Sequence, residues 1–112
     1  DEGMRMSDDE LTVEREDAEH RYVIRVGDTL GGYTEFRKDR EGRLVLPHTL
    51  IIPSFRGRGL AGILVGRALA DIAARGETVV PLCPVVVRYL QENEVPGLDI
   101  DWPDASAGGE GV

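Results

Sequence analysis

Leu11 and Val13 alternate with polar residues as in a short strand, and the apolar, β-prone run Arg21-Tyr22-Val23-Ile24-Arg25-Val26 reads as the next. This pattern predicts two early strands separated by a polar turn from Glu16 to Arg21. Gly27-Asp28 turns the chain, and Gly32 to Lys38, with Tyr33, Thr34 and Phe36, predicts a third strand of good β propensity. Asp39-Arg40-Glu41-Gly42 is a tight hairpin signal. Arg43 to Ile52 is then a long apolar stretch interrupted by Pro47. Proline cannot donate to a ladder, so it marks a bulge, a bend or a local edge.

From Gly59 to Arg75 the period lengthens. Leu60, Leu64, Ala68 and Ile72 recur every fourth residue with Val65 and Leu69 beside them, which predicts an amphipathic helix. Arg67, Asp71 and Arg75 line another face at salt-bridge spacing, and Gly76 supplies a left-handed cap. Thr78 to Leu82 predicts a short strand. Pro84, after Cys83, opens a second helix with Val86, Val87, Tyr89 and Leu90 on its apolar side, ending across Asn93 to Gly97. The order β-β-β-β-α-β-α predicts an α/β fold of the α+β kind, a mixed sheet with helices against it.

The 112 residues suit one domain. We expect it over 11–103, between a disordered acidic terminus at 1–10 and a flexible Gly-rich tail at 104–112. Asp1-Glu2-Gly3, ahead of Met4 and Met6, is left out of the fold. The net charge is −8, with acid at both ends, while Arg37, Lys38, Arg40, Arg43, Arg56 and Arg58 make the middle basic. An acidic chain makes nucleic acid an unsuitable partner, and the local basic run suits a small anion. The acidic rim would attract a cationic amine, but solubilising surface charge is the preferred reading of it. The single cysteine, Cys83, excludes an internal disulfide, and His20 and His48 lie too far apart to suggest metal ligation. With no apolar run long enough for a bilayer and no signal-peptide pattern, a cytoplasmic, non-membrane protein is expected.

Phe55-Arg56-Gly57-Arg58-Gly59-Leu60-Ala61-Gly62 carries the most chemistry. A glycine turn that opens a helix presents unpaired amides at the positive end of the helix dipole and binds phosphates, and arginines add charge-assisted donors. Gly57-x-Gly59-x-x-Gly62 satisfies the dinucleotide fingerprint. However, Pro53-Ser54-Phe55-Arg56 separates it from its strand, no acidic residue ends the next strand, and too little chain follows for a doubly wound sheet. No Gly-Lys-Ser/Thr follows for a P-loop.

Arg56-x-x-Gly59-x-Ala61 resembles the acetyl-CoA signature of the GCN5-related N-acetyltransferases (GNATs), Arg/Gln-x-x-Gly-x-Gly/Ala between the fourth strand and a long helix. His48-Thr49 before the turn, Phe55-Arg56-Gly57 into it, and Val79-Val80-Pro81-Leu82-Cys83-Pro84 with Tyr89 extend the resemblance. It reaches the minimal acetyltransferase-like proteins often labelled YjdJ-like, and covers about Leu11 to Leu98. The resemblance implies a compact, mainly antiparallel mixed sheet with two principal helices, using acetyl-CoA to acetylate a primary amine of a small molecule or protein.

The same resemblance assigns the site. The amides of Arg58, Gly59, Leu60 and Ala61 receive the pyrophosphate, Gly57 and Gly59 leave room for it, and Arg56 or Arg58 contacts phosphate or adenosine, unless both are plain surface residues. The backbone of Leu50, Ile51 and Ile52 pairs with the pantetheine arm. His48 is either a general base or a buried, satisfied histidine. Cys83 either carries an acyl group or lines the slot, and Tyr89 either protonates the leaving thiolate or is a core aromatic. Relatives commonly carry Glu where this chain has Leu50, and a His-Pro-Glu-Tyr run where it has Asn93-Glu94-Val95-Pro96. Direct attack by the amine is preferred. A non-catalytic CoA- or acyl-CoA-binding module is the alternative, and an interaction domain that keeps only the fold a third. Either a monomer or a homodimer fits so small a domain.

Overall fold

The computed structural model describes residues 10–103; the expectations for the acidic terminus before Glu10 and the tail after Pro103 lie outside the described residues. The chain forms β1 (Leu11–Glu16), β2 (Arg21–Val26), β3 (Thr29–Glu35), β4 (Arg37–Lys38), β5 (Leu44–Leu46) and β6 (Thr49–Ile51). The long helix α1 (Leu60–Ala74), β7 (Thr78–Pro81), α2 (Pro84–Glu92) and β8 (Asp99–Ile100) follow. One sheet runs β1-β2-β3-β6, all antiparallel, and the second β4-β5-β7-β8, with β7 parallel to both neighbours. The mixed, mainly antiparallel sheet and two helices expected from the sequence are present. Among the described residues no helix is long and apolar enough to cross a membrane.

The two sheets are joined by a bulge. The pairs Thr34–Thr49 and Arg37–Val45 leave one more residue on the β5–β6 side than on the β3–β4 side. Because Glu35 opposes His48, the extra residue is Pro47, which sits where no ladder bond is required of it. Opposite the bulge, Phe36 separates β3 from β4 where a continuous third strand is expected, although its amide still donates to the His20 carbonyl at 2.9 Å and so extends the β2–β3 ladder by one pair. The hairpin at Asp39 forms as its sequence predicts: Asp39 Oδ1 accepts from the amides of Glu41 and Arg43, each at 2.9 Å, and Gly42 takes a left-handed φ of 82°.

The helix stripe read from the sequence is the core. Leu60, Leu64, Val65, Ala68, Leu69 and Ile72 are all buried against Tyr22, Ile24, Phe36, Leu44, Leu46 and Val79. Each buried Leu, Ile or Val contributes about 1.5–3 kcal/mol, which fixes α1 across both sheets and sets the direction of its N-terminus. On α2 only Val86 is fully buried, so its apolar side is narrower than the sequence reading. The polar face of α1 also differs in one member. Asp71 and Arg75 pair at 2.8 Å, but Arg67 instead donates to the Leu11 carbonyl at 3.2 Å.

Candidate functional site

The site begins where the strands part. Leu46 is the last β5 residue paired with β7, opposite Pro81. Its carbonyl accepts from two successive amides, Leu82 at 3.1 Å and Cys83 at 2.9 Å. Pro84 then starts α2, its fixed φ suiting a first helical position. The chain after β7 therefore leaves the sheet while β6 stays with β3, and one edge of β6 has no strand beside it.

The ladder decides which groups face that edge. The Glu35 amide donates to the His48 carbonyl and the Ile52 amide to the Gly31 carbonyl, each at 2.8 Å. Bonded residues alternate in an antiparallel pair, so Leu50 also faces β3, while Thr49 and Ile51 turn their backbone groups to the open side. Arg56 Nε donates to the Ile51 carbonyl at 3.0 Å. The Thr49 amide and carbonyl and the Ile51 amide are left for an extended ligand. Of the Leu50–Ile52 segment expected to pair with such a ligand, only Ile51 presents its backbone outward, and Thr49 joins it.

At the start of α1, Gly57 and Gly59 have φ of 83° and 76°, a region that favours glycine. Gly59 is the N-cap and makes no side-chain cap bond. Among the described residues no protein acceptor is bonded to the amides from Gly57 to Gly62. A Cβ at Gly57, Gly59 or Gly62 would meet no atom within 4 Å. Packing therefore does not demand glycine at position 62, where it is about 1 kcal/mol less favourable in a helix than alanine. What its missing side chain preserves is open space before unpaired amides, which fits a diphosphate.

A cleft of about 500 Å³ connects these parts, with His48 to Ile51 on one side, Arg56, Gly57, Gly59, Leu60 and Ala61 on the other, and Val85 at its end. A second pocket of about 370 Å³ shares Ala61 and Val85 and continues between α1 and α2 to Gly62, Arg88 and Tyr89. Ile52, Arg58 and Cys83 line neither. Arg58 lies over the Phe55 ring, 5.2 Å from its centroid, beside the cleft.

The three catalytic candidates occupy different settings. His48 is exposed at the cleft, its ring edge-on to Tyr33 at 6.3 Å, and is not a buried, satisfied histidine. Cys83 is 3% exposed and donates to Thr49 Oγ1 at 3.4 Å. Thr49 Oγ1 lies 2.8 Å from Thr34 Oγ1, which donates to the His48 carbonyl at 3.4 Å. With both outer directions fixed, Thr49 donates to Thr34, and one relay runs Cys83–Thr49–Thr34–His48 backbone across the bulge. Tyr89 stands apart, in the second pocket, its hydroxyl against α1. A Cβ on Gly66 would fall 2.5 Å from Tyr89 Oη.

The basic residues that neighbour one another in sequence disperse in space. Arg43 pairs with Asp39 at 2.7 Å and with Asp101, and Arg37 and Lys38 lie beside Asp17 and His20, leaving Arg56 and Arg58 at the cleft. At the other end of α1, Tyr22 donates to Asp71 at 2.7 Å. Burial and then that bond push the Tyr22 hydroxyl well above the usual phenol range. Burial opposes ionisation of Asp71, but the bonds from Tyr22 and Arg75, with the charge of Arg15, outweigh it and hold its carboxyl below the usual range.

Sequence reasoning missed Thr49, Gly62 and Val85 as site residues. Gly62 carried a signal, an unneeded glycine in a helix. Thr49 was legible only as part of a motif, since its role depends on register.

The model of one protein family, described as GCN5-related N-acetyl-transferase, matches residues 21–96, from β2 to the loop after α2. No curated protein matches the chain. The family match spans the open strand edge, the glycine turn and both helices, and the chain belongs to the GCN5-related N-acetyl-transferase family.

Proposed function

We propose that the chain is an acetyl-CoA-dependent N-acetyltransferase of the minimal, YjdJ-like kind, moving an acetyl group to a primary amine by direct attack. The observation that carries this reading is the run of unbonded amides from Gly57 to Gly62 beside the open edge of β6. The amides and Arg56 or Arg58 bind a diphosphate, and Thr49 and Ile51 hold an extended amide-bearing arm as an added strand. Bound there, acetyl-CoA supplies a thioester carbon to which the amine nitrogen bonds as the C–S bond breaks and sulfur leaves with the electron pair.

An alkylammonium has no lone pair and loses its proton only near pH 10. His48, exposed at the cleft, takes that proton. The second proton leaves the nitrogen to solvent once the C–N bond has formed, and the sulfur takes one from the Tyr89 hydroxyl, which solvent then reprotonates. Cys83 acts through packing and its bond to Thr49 rather than as an acyl carrier, since a nucleophilic role needs a thiolate and this thiol is buried and donating.

The test is acetyl-CoA turnover across polyamine, amino-acid and protein-lysine acceptors. Turnover with any of them supports the reading. Silence on all, with acetyl-CoA bound, favours the second reading, a CoA-binding module, for which Leu50 at the usual Glu position speaks.

A further inference from the structure

We propose that Glu35, beside Tyr33 and His48, forms a cation seat that selects acceptors carrying a second positive charge near the reacting nitrogen. The proposal rests on the acetyltransferase reading and names its substrate class. Tyr33 pairs with Leu50, and Glu35 is bonded to His48 two register positions on, past Thr34–Thr49. Directly paired residues, and residues two apart along a strand, share a face. Tyr33, Glu35, His48 and Leu50 therefore stand together on one side of the sheet, with His48 and Leu50 also lining the cleft.

The two arginines on this face are held by carboxylates other than Glu35. Arg25 is held by Glu14 at 3.0 Å and Glu16 at 3.4 Å. Arg21 lies opposite Glu35 in the β2–β3 ladder, yet its guanidinium turns to Glu16 at 2.8 Å and to the Tyr33 ring, 5.4 Å from the centroid. Among the described residues the Glu35 carboxylate has neither ion pair nor hydrogen bond, and it is the one carboxylate on β3 or β6. A half-buried, unpaired carboxylate next to an aromatic ring that already attracts a cation is a site for an alkylammonium.

The charge it holds is not that of the reacting nitrogen. A carboxylate beside that nitrogen would stabilise its ammonium form, which cannot attack. The seat assists when it takes a second cationic group and leaves the reacting amine to His48. Diamines have this chemistry, as do lysines next to another basic residue.

The experiment compares 1,4-diaminobutane with butylamine, and a lysine peptide flanked by arginine with one flanked by alanine, at saturating acetyl-CoA. For the wild type we expect kcat/KM to favour the doubly charged member of each pair by about tenfold, as for one charge-assisted bond. Glu35→Gln should abolish that preference by raising KM for the doubly charged acceptor, leaving kcat, the butylamine KM and the acetyl-CoA KM unchanged. The pair showing the larger preference separates small diamines from protein lysines. Equal rates within both pairs, or a preference that survives Glu35→Gln, would overturn the proposal. Amide NMR titration with 1,4-diaminobutane alone keeps the two readings apart. Shifts at Tyr33, Glu35 and His48 that vanish in Glu35→Gln support the seat even if no acceptor turns over, and their absence in the wild type refutes it.

Discussion

Cys83 donates its thiol to Thr49 Oγ1 at 3.4 Å across the point where β6 and β7 part. The bond ties the residue before α2 to the strand whose open edge faces the cleft. Through Thr34, fully buried, it continues to the backbone of His48. The cysteine thus has a structural reason to be there without forming a bond to an acyl group.

Cys83→Ala should therefore keep most of the turnover and lose about 1 kcal/mol of stability from the missing sulfur contacts and the lost bond to Thr49. Steady-state rates and urea unfolding measure both. Activity at background in a folded variant would restore covalent carriage.

Gly62→Ala should move two properties in opposite directions. A Cβ there meets nothing within 4 Å in the free protein, so helix propensity raises stability by up to about 1 kcal/mol. The same methyl intrudes before the amides, and CoA affinity should fall by about tenfold or more. Thermal unfolding and calorimetry with CoA check the pair; unchanged affinity would remove Gly62 from the site.

Tyr89 is positioned by a gap in α1. Gly66→Ala would put a Cβ 2.5 Å from its hydroxyl oxygen and displace the ring, which should lower kcat more than the CoA affinity. In a Tyr89→Phe background the same substitution loses its closest contact and should have a much smaller effect. A double-mutant cycle on kcat reads the coupling, and additive effects would argue against it.

Acid should weaken the far end of α1. Asp71 is held below its usual range in the fold, so its contribution is present above the unfolded value of about 4 and is lost as pH falls through the folded value. Asp71→Asn should be less stable than the wild type at pH 7, by about 1–2 kcal/mol for the weakened bonds to Tyr22 and Arg75. The difference should narrow below pH 4. Urea titrations at pH 7 and pH 3 measure it, and a constant difference would contradict the linkage.

The sequence made some of this legible and hid the rest for physical reasons. The α1 stripe was readable because period and burial coincide at Leu60, Leu64, Ala68 and Ile72. Pro47 announced a break, but which strand kept which neighbour depended on the pairing of Thr34 with Thr49, a long-range register. The strand β8 has only Asp99 and Ile100 and no period to read; it is set by the Asp101 amide on the Val79 carbonyl at 2.8 Å and by Thr78 on Asp99. Nothing in the sequence singles out Glu35; only the ladder puts it beside His48.

The central claim is that amides at the start of α1 and the open edge of β6 receive coenzyme A. Titrating the ¹⁵N-labelled protein with CoA and following each amide tests it most directly. The account predicts that the largest shifts fall on Gly57 to Gly62, Thr49 and Ile51. Saturating CoA with those signals unmoved, or with the shifts confined to another face, would contradict it.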